Sequence, residues 1–231
     1  SLYSALNYIN TPDKNILTVE DPVEYQLEGV GQMQINPGVG LTFANSLRSM
    51  LRQDPDVIMV GEIRDHETVE IGLRAAMTGH LVLSTLHSNT ALGAIPRMQG
   101  LGVDNLTMAE TLIGVISQRL VRTICMHCAQ KYTLSDEEKA YLQRDIKQAS
   151  KGAGCEHCNQ SGYQGRTIIY EVLIITKELR LLLEKGTPRH ELEEKALEQG
   201  FRNIFEVAVD KVEKGITTVE ELQRVLGRYW Y

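Results

Sequence analysis

No apolar run in this sequence approaches the roughly 20 residues that a bilayer-crossing helix needs, and nothing at its start reads as a signal peptide. Positive charge is not in excess either. The 231 residues carry 24 Lys and Arg against 30 Asp and Glu, and a formal net charge of −6 gives no support for broad attraction to nucleic acid or acidic lipid. A basic, aromatic-studded strand face is missing as well, which speaks against a nucleic-acid partner. Internal repeats and low-complexity segments are absent. What remains is ordinary for a soluble globular protein: 42% apolar and 23% charged residues, enough for a substantial core in one domain or two. Ser1 falls in the middle of a helical pattern, so a fragment of something longer is expected.

Cysteine is scarce, and all four fall in two pairs, Cys125-x-x-Cys128 and Cys155-x-x-Cys158, with 26 residues between them. A chain of this length has no need of disulfide staples. Four soft thiolates are instead the tetrahedral set that Zn²⁺ takes in closed structural sites, so structural zinc and a reducing cytoplasm are expected. His127 and His157 lie inside the knuckles and could compete as ligands, although four cysteines complete the shell.

The stretch Leu47 to Asp65 organises the rest. A helical segment carrying Arg48 and Arg52 breaks at Asp54-Pro55, the apolar run Val57 to Val60 follows, and Gly61-Glu62-Ile63-Arg64-Asp65 comes directly after. Such a run, bounded by Pro and Gly, predicts a buried parallel strand with a charged cluster at its carboxyl end, where open α/β sheets place ligands. Further strands are predicted at Asn15 to Val19, Gln32 to Ile35 and Leu81 to Leu83. Helices are predicted at Leu2 to Ile9, from Thr42, at Glu67 to Met77, Thr90 to Gly100 and about Leu106 to Leu120. Strands alternating with helices argue for a parallel α/β core.

Composition shifts at Cys125. Ser135 to Gln148 predicts a charged surface helix opened by a Ser135-x-x-Glu138 capping box, and Thr167 to Ile175 a strand. From Lys177 onward come three or four short amphipathic helices punctuated by Gly186-Thr187-Pro188, Gly200 and Gly215. The expected layout is a core at 1–122, a tetracysteine metal-binding subdomain at 123–170 and a helical subdomain at 171–231. The tail, ending in Arg228-Tyr229-Trp230-Tyr231, offers surface to neighbours or packs on its own core.

Three polar clusters follow apolar strands: Glu20 to Glu24, Gly61 to Asp65, and Thr85 to Asn89. In a parallel sheet their strand ends converge, so two sets of carboxylates and the His87 imidazole would face one cleft. That suits a magnesium-bound triphosphate, because Mg²⁺ wants hard oxygen ligands and an attacking water wants a carboxylate to orient it. Arg48, Arg52 and Arg64 could neutralise phosphate charge in the transition state. Blander readings stand beside these. Glu20 and Glu24 could be a solvated strand end or capping carboxylates, His87 a loop-side hydrogen-bonder, and Arg48 and Arg52 an exposed face pairing with Asp54 and Asp56. Glu62, directly after a buried strand and a glycine, has fewer structural excuses.

Together these stretches resemble the ATPases of bacterial type II secretion and type IV pilus assembly, over almost the whole chain. Thr18-Val19-Glu20-Asp21-Pro22-Val23-Glu24 resembles that family's aspartate box, and Arg52 to Asp65 its atypical Walker B. Thr78 to Asn89 is similar to its histidine box. The CxxC pairs with Gly162-Tyr163-Gln164-Gly165-Arg166 resemble the metal module of its extension-type members, favouring assembly or secretion over retraction.

The resemblance implies a RecA-like parallel-sheet core with a zinc subdomain and a C-terminal helical subdomain. It also implies a hexameric ring driven by ATP with Mg²⁺. Glu62 would be the catalytic glutamate, Glu20 and Glu24 would support Mg²⁺ and the water, and His87 would sense the γ-phosphate. His80 would help to hold the strand end, and Arg48, Arg52, Arg64 and Arg166 would bear charge near the nucleotide or a subunit boundary. Partners would be an inner-membrane platform and cytoplasmic docking proteins, for a cytoplasmic protein held peripherally at that membrane.

Two departures are visible. Gly61 stands where an ordinary Walker B has an aspartate, and no GxxxxGK[ST] occurs in the 231 residues. The chain is therefore expected to begin just beyond the phosphate loop and to bind and hydrolyse ATP weakly alone. The rival readings are a zinc-ribbon binding module and a RecA-like DNA-translocating ATPase.

Overall fold

The computed structural model describes residues 2–227, so Arg228 to Tyr231 at the end of the tail lie outside the described residues. In chain order the elements are α1 (Leu2–Ile9), β1 (Ile16–Glu20), β2 (Val30–Gln34), α2 (Phe43–Met50), β3 (Val57–Val60), α3 (His66–Met77), β4 (Leu81–Ser84), α4 (Ala94–Gly100), α5 (Asn105–Thr111), β5 (Gly114–Ile124), β6 (Ala129–Thr133), α6 (Asp136–Leu142), β7 (Gln148–Gly152), β8 (Tyr163–Ile174), α7 (Lys177–Glu184), α8 (Arg189–Glu198), α9 (Ile204–Glu213) and α10 (Val219–Leu226). Contacts divide the chain into two compact units, Ser1–Ile113 with Ile175–Leu192 and Gly114–Ile174 with Glu193–Tyr231. The expected boundaries at 122/123 and 170/171 fall inside β5 and β8.

The first unit is the expected parallel α/β core. Its four strands run in the order β2-β1-β3-β4, every neighbouring pair parallel. All four residues of β3 are buried, as a strand covered on both faces must be. Alternation sends Ile58 and Val60 to one face, where they pack with Val19, Phe43, Leu47 and Met50. Val57 and Met59 go to the other, against Leu6, Ile16 and Leu27. Helix starts are chemically set: Thr42 caps α2 by accepting from the Asn45 N–H at 3.2 Å, and Asp65 caps α3 by accepting from the Thr68 N–H at 2.8 Å.

The second unit is built on a long antiparallel pair, β5 with β8, in register from Gly114↔Ile174 to Arg122↔Arg166 with an irregularity between Arg122 and Ile124. Its core joins Val121 and Ile169 of this ribbon to Phe205 and Val209 of α9 and to Leu222 of α10. Two helix expectations are corrected here. The helix expected to run to Leu120 ends at Thr111, and from Gly114 the chain is strand, because Val115, Ile116 and Val121 are β-branched and pair across to β8. The helix expected to reach Gln148 ends at Leu142, where Gln143 enters the left-handed region at φ 51°, and β7 then pairs with β6. The capping box itself forms in full: Ser135 Oγ accepts from the Glu138 N–H at 3.2 Å, and the Glu138 carboxylate accepts from the Ser135 N–H at 2.8 Å.

Candidate active site and metal centre

Parallel pairing brings the three polar clusters to one edge of the sheet. Val19 pairs with Val60, and Val60 with Ser84, so Glu20, Gly61 and Thr85 each leave a neighbouring strand at the same level. Loop hydrogen bonds lock them: Gly61 N–H donates to Val19 O at 2.8 Å, Thr85 Oγ1 to Gly61 O at 2.7 Å, and Ile63 N–H to Thr85 O at 3.0 Å. A Cβ on Gly61 would stand 3.2 Å from Val19 O and 3.3 Å from Glu20 Cα, a close approach that favours glycine over a larger residue.

Glu62, Arg64 and His87 gather at this edge. The Glu62 side chain is only 15% exposed, yet it meets Arg64 Nη2 at 2.5 Å through Oε1 and His87 Nε2 at 3.6 Å through Oε2. Arg64 and His87 reach it from the solvent side, their side chains 62% and 83% exposed. The hydrogen bond from Arg64 to Glu62 and the negative charge of Glu62, with a smaller contribution from Asp21, raise the guanidinium pKa further above its ordinary value. A cavity of about 280 Å³ lined by Leu86, His87, Ser88 and Asn89 opens beside the imidazole. A sheltered carboxylate flanked by a long, exposed cation and an imidazole can orient a water and meet an anionic substrate.

Glu20 sits differently. It is 3% exposed and accepts from Thr18 Oγ1 at 2.5 Å and Gln32 Nε2 at 3.1 Å on one oxygen, and from the Tyr3 hydroxyl on the other. Burial, and then the Glu20 carboxylate, push the Tyr3 phenol pKa up, so the hydroxyl stays a donor. Glu24, four residues on, is exposed, and its N–H donates to the Tyr3 oxygen at 3.1 Å. Sequence reasoning missed Tyr3, Thr18 and Gln32. Thr18 had a signal, since residues two apart on a strand share a face.

In the second unit the four cysteine Sγ atoms lie within 4.8 Å of one another, with 125–155, 128–158 and 155–158 separations of 3.9, 3.8 and 3.7 Å. Four sulfurs around a tetrahedral ion at about 2.3 Å stand about 3.8 Å apart, so the set fits a metal and is too open for disulfides. Burial pushes the Cys128 thiol up to about 11 and the Cys155 thiol up as well, whereas at Cys158 the N–H donors from Cys155 at 3.3 Å and Gly162 at 3.2 Å outweigh burial and bring the pKa down to about 6. His127 and His157 are exposed and stack on each other, ring centres 3.9 Å apart. Gly152 allows the segment that carries the second knuckle to close on itself: a Cβ there would stand 2.0 Å from Gly162 O.

A family model described as "Type II/IV secretion system protein" matches residues 1–224. The chain belongs to that family. It is 48% identical over 227 residues to the type II secretion system protein E of Dickeya dadantii, covering 97% of this chain and 45% of that protein. It is 47% identical over 225 residues to the type IV pilus assembly ATPase PilB of Thermus thermophilus, covering 95% of this chain and 25% of that one. A solved structure of the pilus retraction motor PilT with bound ADP superposes with a TM-score of 0.70 at 31% identity, over 96% of this chain and 56% of that chain. The chain thus spans about half the length, or less, of the curated relatives it matches.

Within this type II/IV secretion family chain, the other residues singled out by sequence lie apart from the Glu62 cluster in their contacts. Arg48 pairs with Glu67 at 2.6 Å. Arg52 turns back on its own helix, donating to Arg48 O at 3.1 Å and Ser49 Oγ at 3.3 Å, rather than pairing with Asp54 or Asp56. Asp56 accepts the Asn15 N–H at 2.7 Å. His80 precedes β4, with its Nδ1 2.9 Å from Ala75 O of α3, while His87 follows the carboxyl end of that strand. Arg166 is exposed on β8 of the second unit, opposite Arg122. Among the described residues, no helix is long and apolar enough to cross a membrane.

Proposed function

We propose that this chain supplies the hydrolytic half-site of an ATP-driven motor subunit for type II secretion or type IV pilus assembly. The placement of Glu62 carries the reading: a sheltered carboxylate at the carboxyl end of the central strand, with His87 from the neighbouring strand beside it. Relatives named as secretion proteins and a pilus assembly ATPase support the setting.

In this reading Glu62 orients a water and takes its proton as the water oxygen attacks the γ-phosphorus and the bond to the ADP oxygen breaks, with no covalent intermediate. Arg64 must first swing from Glu62 toward the phosphate charge, which its exposed side chain allows. His87 stands where it can register the terminal phosphate. Glu24, exposed, and Glu20, through its remaining lone pair, would hold hydrated Mg²⁺, which neutralises phosphate charge when bound. Arg48, Arg52, His80 and Arg166 are proposed to act at subunit boundaries or on the scaffold rather than on the reacting atoms. Cys125, Cys128, Cys155 and Cys158 are proposed to hold structural Zn²⁺. The working assembly is proposed to be a homo-hexamer on the cytoplasmic side of the inner membrane, engaged with a membrane platform and docking proteins, with no nucleic-acid partner.

The test compares a subunit of the relatives' full length carrying this chain with the 231 residues alone. Mg²⁺-dependent ATP hydrolysis is expected from the former and negligible turnover from the latter, which contains no GxxxxGK[ST] cradle. Absence of hydrolysis by the full-length hexamer, or robust turnover by the 231 residues, would overturn the reading.

A further inference from the structure

The loop between β1 and β2 follows Glu20, the last residue of β1, carries Glu24, and is tied down by side chains. The Val23 N–H donates to Gln34 Oε1 at 3.3 Å, the Glu24 N–H to the Tyr3 hydroxyl at 3.1 Å and the Leu27 N–H to Gln32 Oε1 at 2.7 Å. The last of these orients the Gln32 amide, because a main-chain N–H can meet only its oxygen. Gln32 Nε2 therefore faces acceptors: Glu20 Oε1 at 3.1 Å, Tyr25 O at 3.2 Å and Tyr3 Oη at 3.3 Å.

Counting valences then fixes the direction of every bond at Tyr3. A phenol has one donor and two acceptor positions. The Glu24 N–H can only donate to the phenol oxygen and an ionised carboxylate can only accept, so the single proton goes to Glu20, while the two N–H groups of Gln32 are shared among Glu20, Tyr25 and Tyr3. A carboxylate offers about four acceptor positions, of which Thr18 takes one on Oε1, Gln32 shares another there and Tyr3 takes one on Oε2. One position is left, on Oε2, beside the Tyr3 oxygen.

We propose that Tyr3 is the positioning residue of the acidic pair: its hydroxyl joins the Glu20 carboxylate to the Glu24 main chain and so sets where both acids stand for hydrolysis. This rests on the hydrolytic reading above. Tyr3 lies in the first turn of α1, four elements before the catalytic strand β3, and neither charge nor nucleophile marks it in the sequence. Its ring packs against Tyr25 at 4.6 Å between centres, so Tyr3→Phe removes the hydroxyl alone.

In the full-length hexamer, Tyr3→Phe is expected to lower kcat for ATP by about tenfold or more, with KM within about twofold, because the acids it positions are then misplaced for the hydrolysis step. Tyr8→Phe, on the same helix and 89% exposed, is the neutral control. A second readout needs no nucleotide: exchange of the Glu24 amide hydrogen should accelerate by about tenfold or more in Tyr3→Phe. If Tyr3→Phe folds poorly, Thr18→Val strips a donor from the other Glu20 oxygen and should lower kcat similarly, with Thr18→Ser restoring it. Unchanged kcat in folded Tyr3→Phe overturns the proposal whether or not Glu24 exchange changes, as does a loss that only tracks the folded fraction. A wild type that does not hydrolyse ATP removes the functional reading and this role together; an active wild type with a silent Tyr3→Phe removes this role alone.

Discussion

Glu221 is the charge on which the second unit depends, and Glu221→Gln is its sharpest test. The side chain is 0% exposed, at the start of α10, and takes Arg122 Nη2 at 2.6 Å and Nε at 2.8 Å, Arg224 Nη2 at 2.6 Å and Nε at 2.7 Å, and the Arg122 N–H at 2.8 Å. Burial pushes its pKa up, but the hydrogen bonds from Arg224 and Arg122 outweigh that and bring it from 4.5 down to about 2. At roughly 1.4 kcal/mol for each tenfold change in proton affinity, the ionised form is worth about 3 kcal/mol to the folded state. The amide keeps the shape but leaves two guanidinium groups facing a neutral partner. Removing one member of a buried pair costs about 3–5 kcal/mol, and the lower end applies because Arg122 and Arg224 still reach water. The two routes agree on about 3 kcal/mol.

For a unit of roughly 100 residues, that corresponds to a fall of about 10–20 °C in its melting transition, readable by calorimetry. Hydrogen exchange on β5 and α10 would assign the transition. The pH dependence follows the same sign: because the folded pKa is depressed, this stability is present above pH 4.5 and is lost as pH falls toward about 2. Glu220→Gln, one residue away and exposed, should cost less than about 0.5 kcal/mol. A Glu221→Gln variant that melts within a few degrees of wild type, or a transition equally stable at pH 5 and pH 2, would refute the reasoning.

Metal analysis should find one zinc per chain, and Cys155→Ser or Cys158→Ser should lose it; a chain with no bound metal that melts identically with and without chelator contradicts the centre. Gly152→Ala should destabilise the knuckles by about 3 kcal/mol or more and release zinc more readily, since its Cβ would meet Gly162 backbone 2.0–2.6 Å away. A variant that retains zinc at wild-type affinity would show that this approach can relax.

The core of the first unit was readable because its signals are local. Val57 to Val60 is wholly apolar and bounded by Asp54-Pro55 and Gly61, and it folds as β3 over those same residues. Ser135 and Glu138 announced their capping box by spacing alone. What stayed hidden depends on partners distant in sequence. Gln148 to Gly152 is polar and unremarkable until Ala129 to Thr133 pairs with it. The Ile113 to Leu120 stretch carries apolar residues at helical spacing, and cross-strand contact with β8 decides for strand. Of the site, Glu62 and His87 were legible as residues that follow strands, and the sheet does bring them together. Glu20 was not legible as buried. Two of its three donors arrive from α1 and β2, and nothing in a run of acids after a strand shows that one of them turns inward.

The central claim is that Glu62 activates the attacking water. Single-turnover hydrolysis by the full-length protein, wild type against Glu62→Gln, tests it most directly. The amide keeps the size of the side chain and its reach to His87 but can take no proton. The account predicts a fall of about 10²-fold or more in the hydrolysis step with ATP affinity within a few-fold of wild type. Hydrolysis by Glu62→Gln within a few-fold of the wild-type rate, at saturating ATP and Mg²⁺, would contradict it.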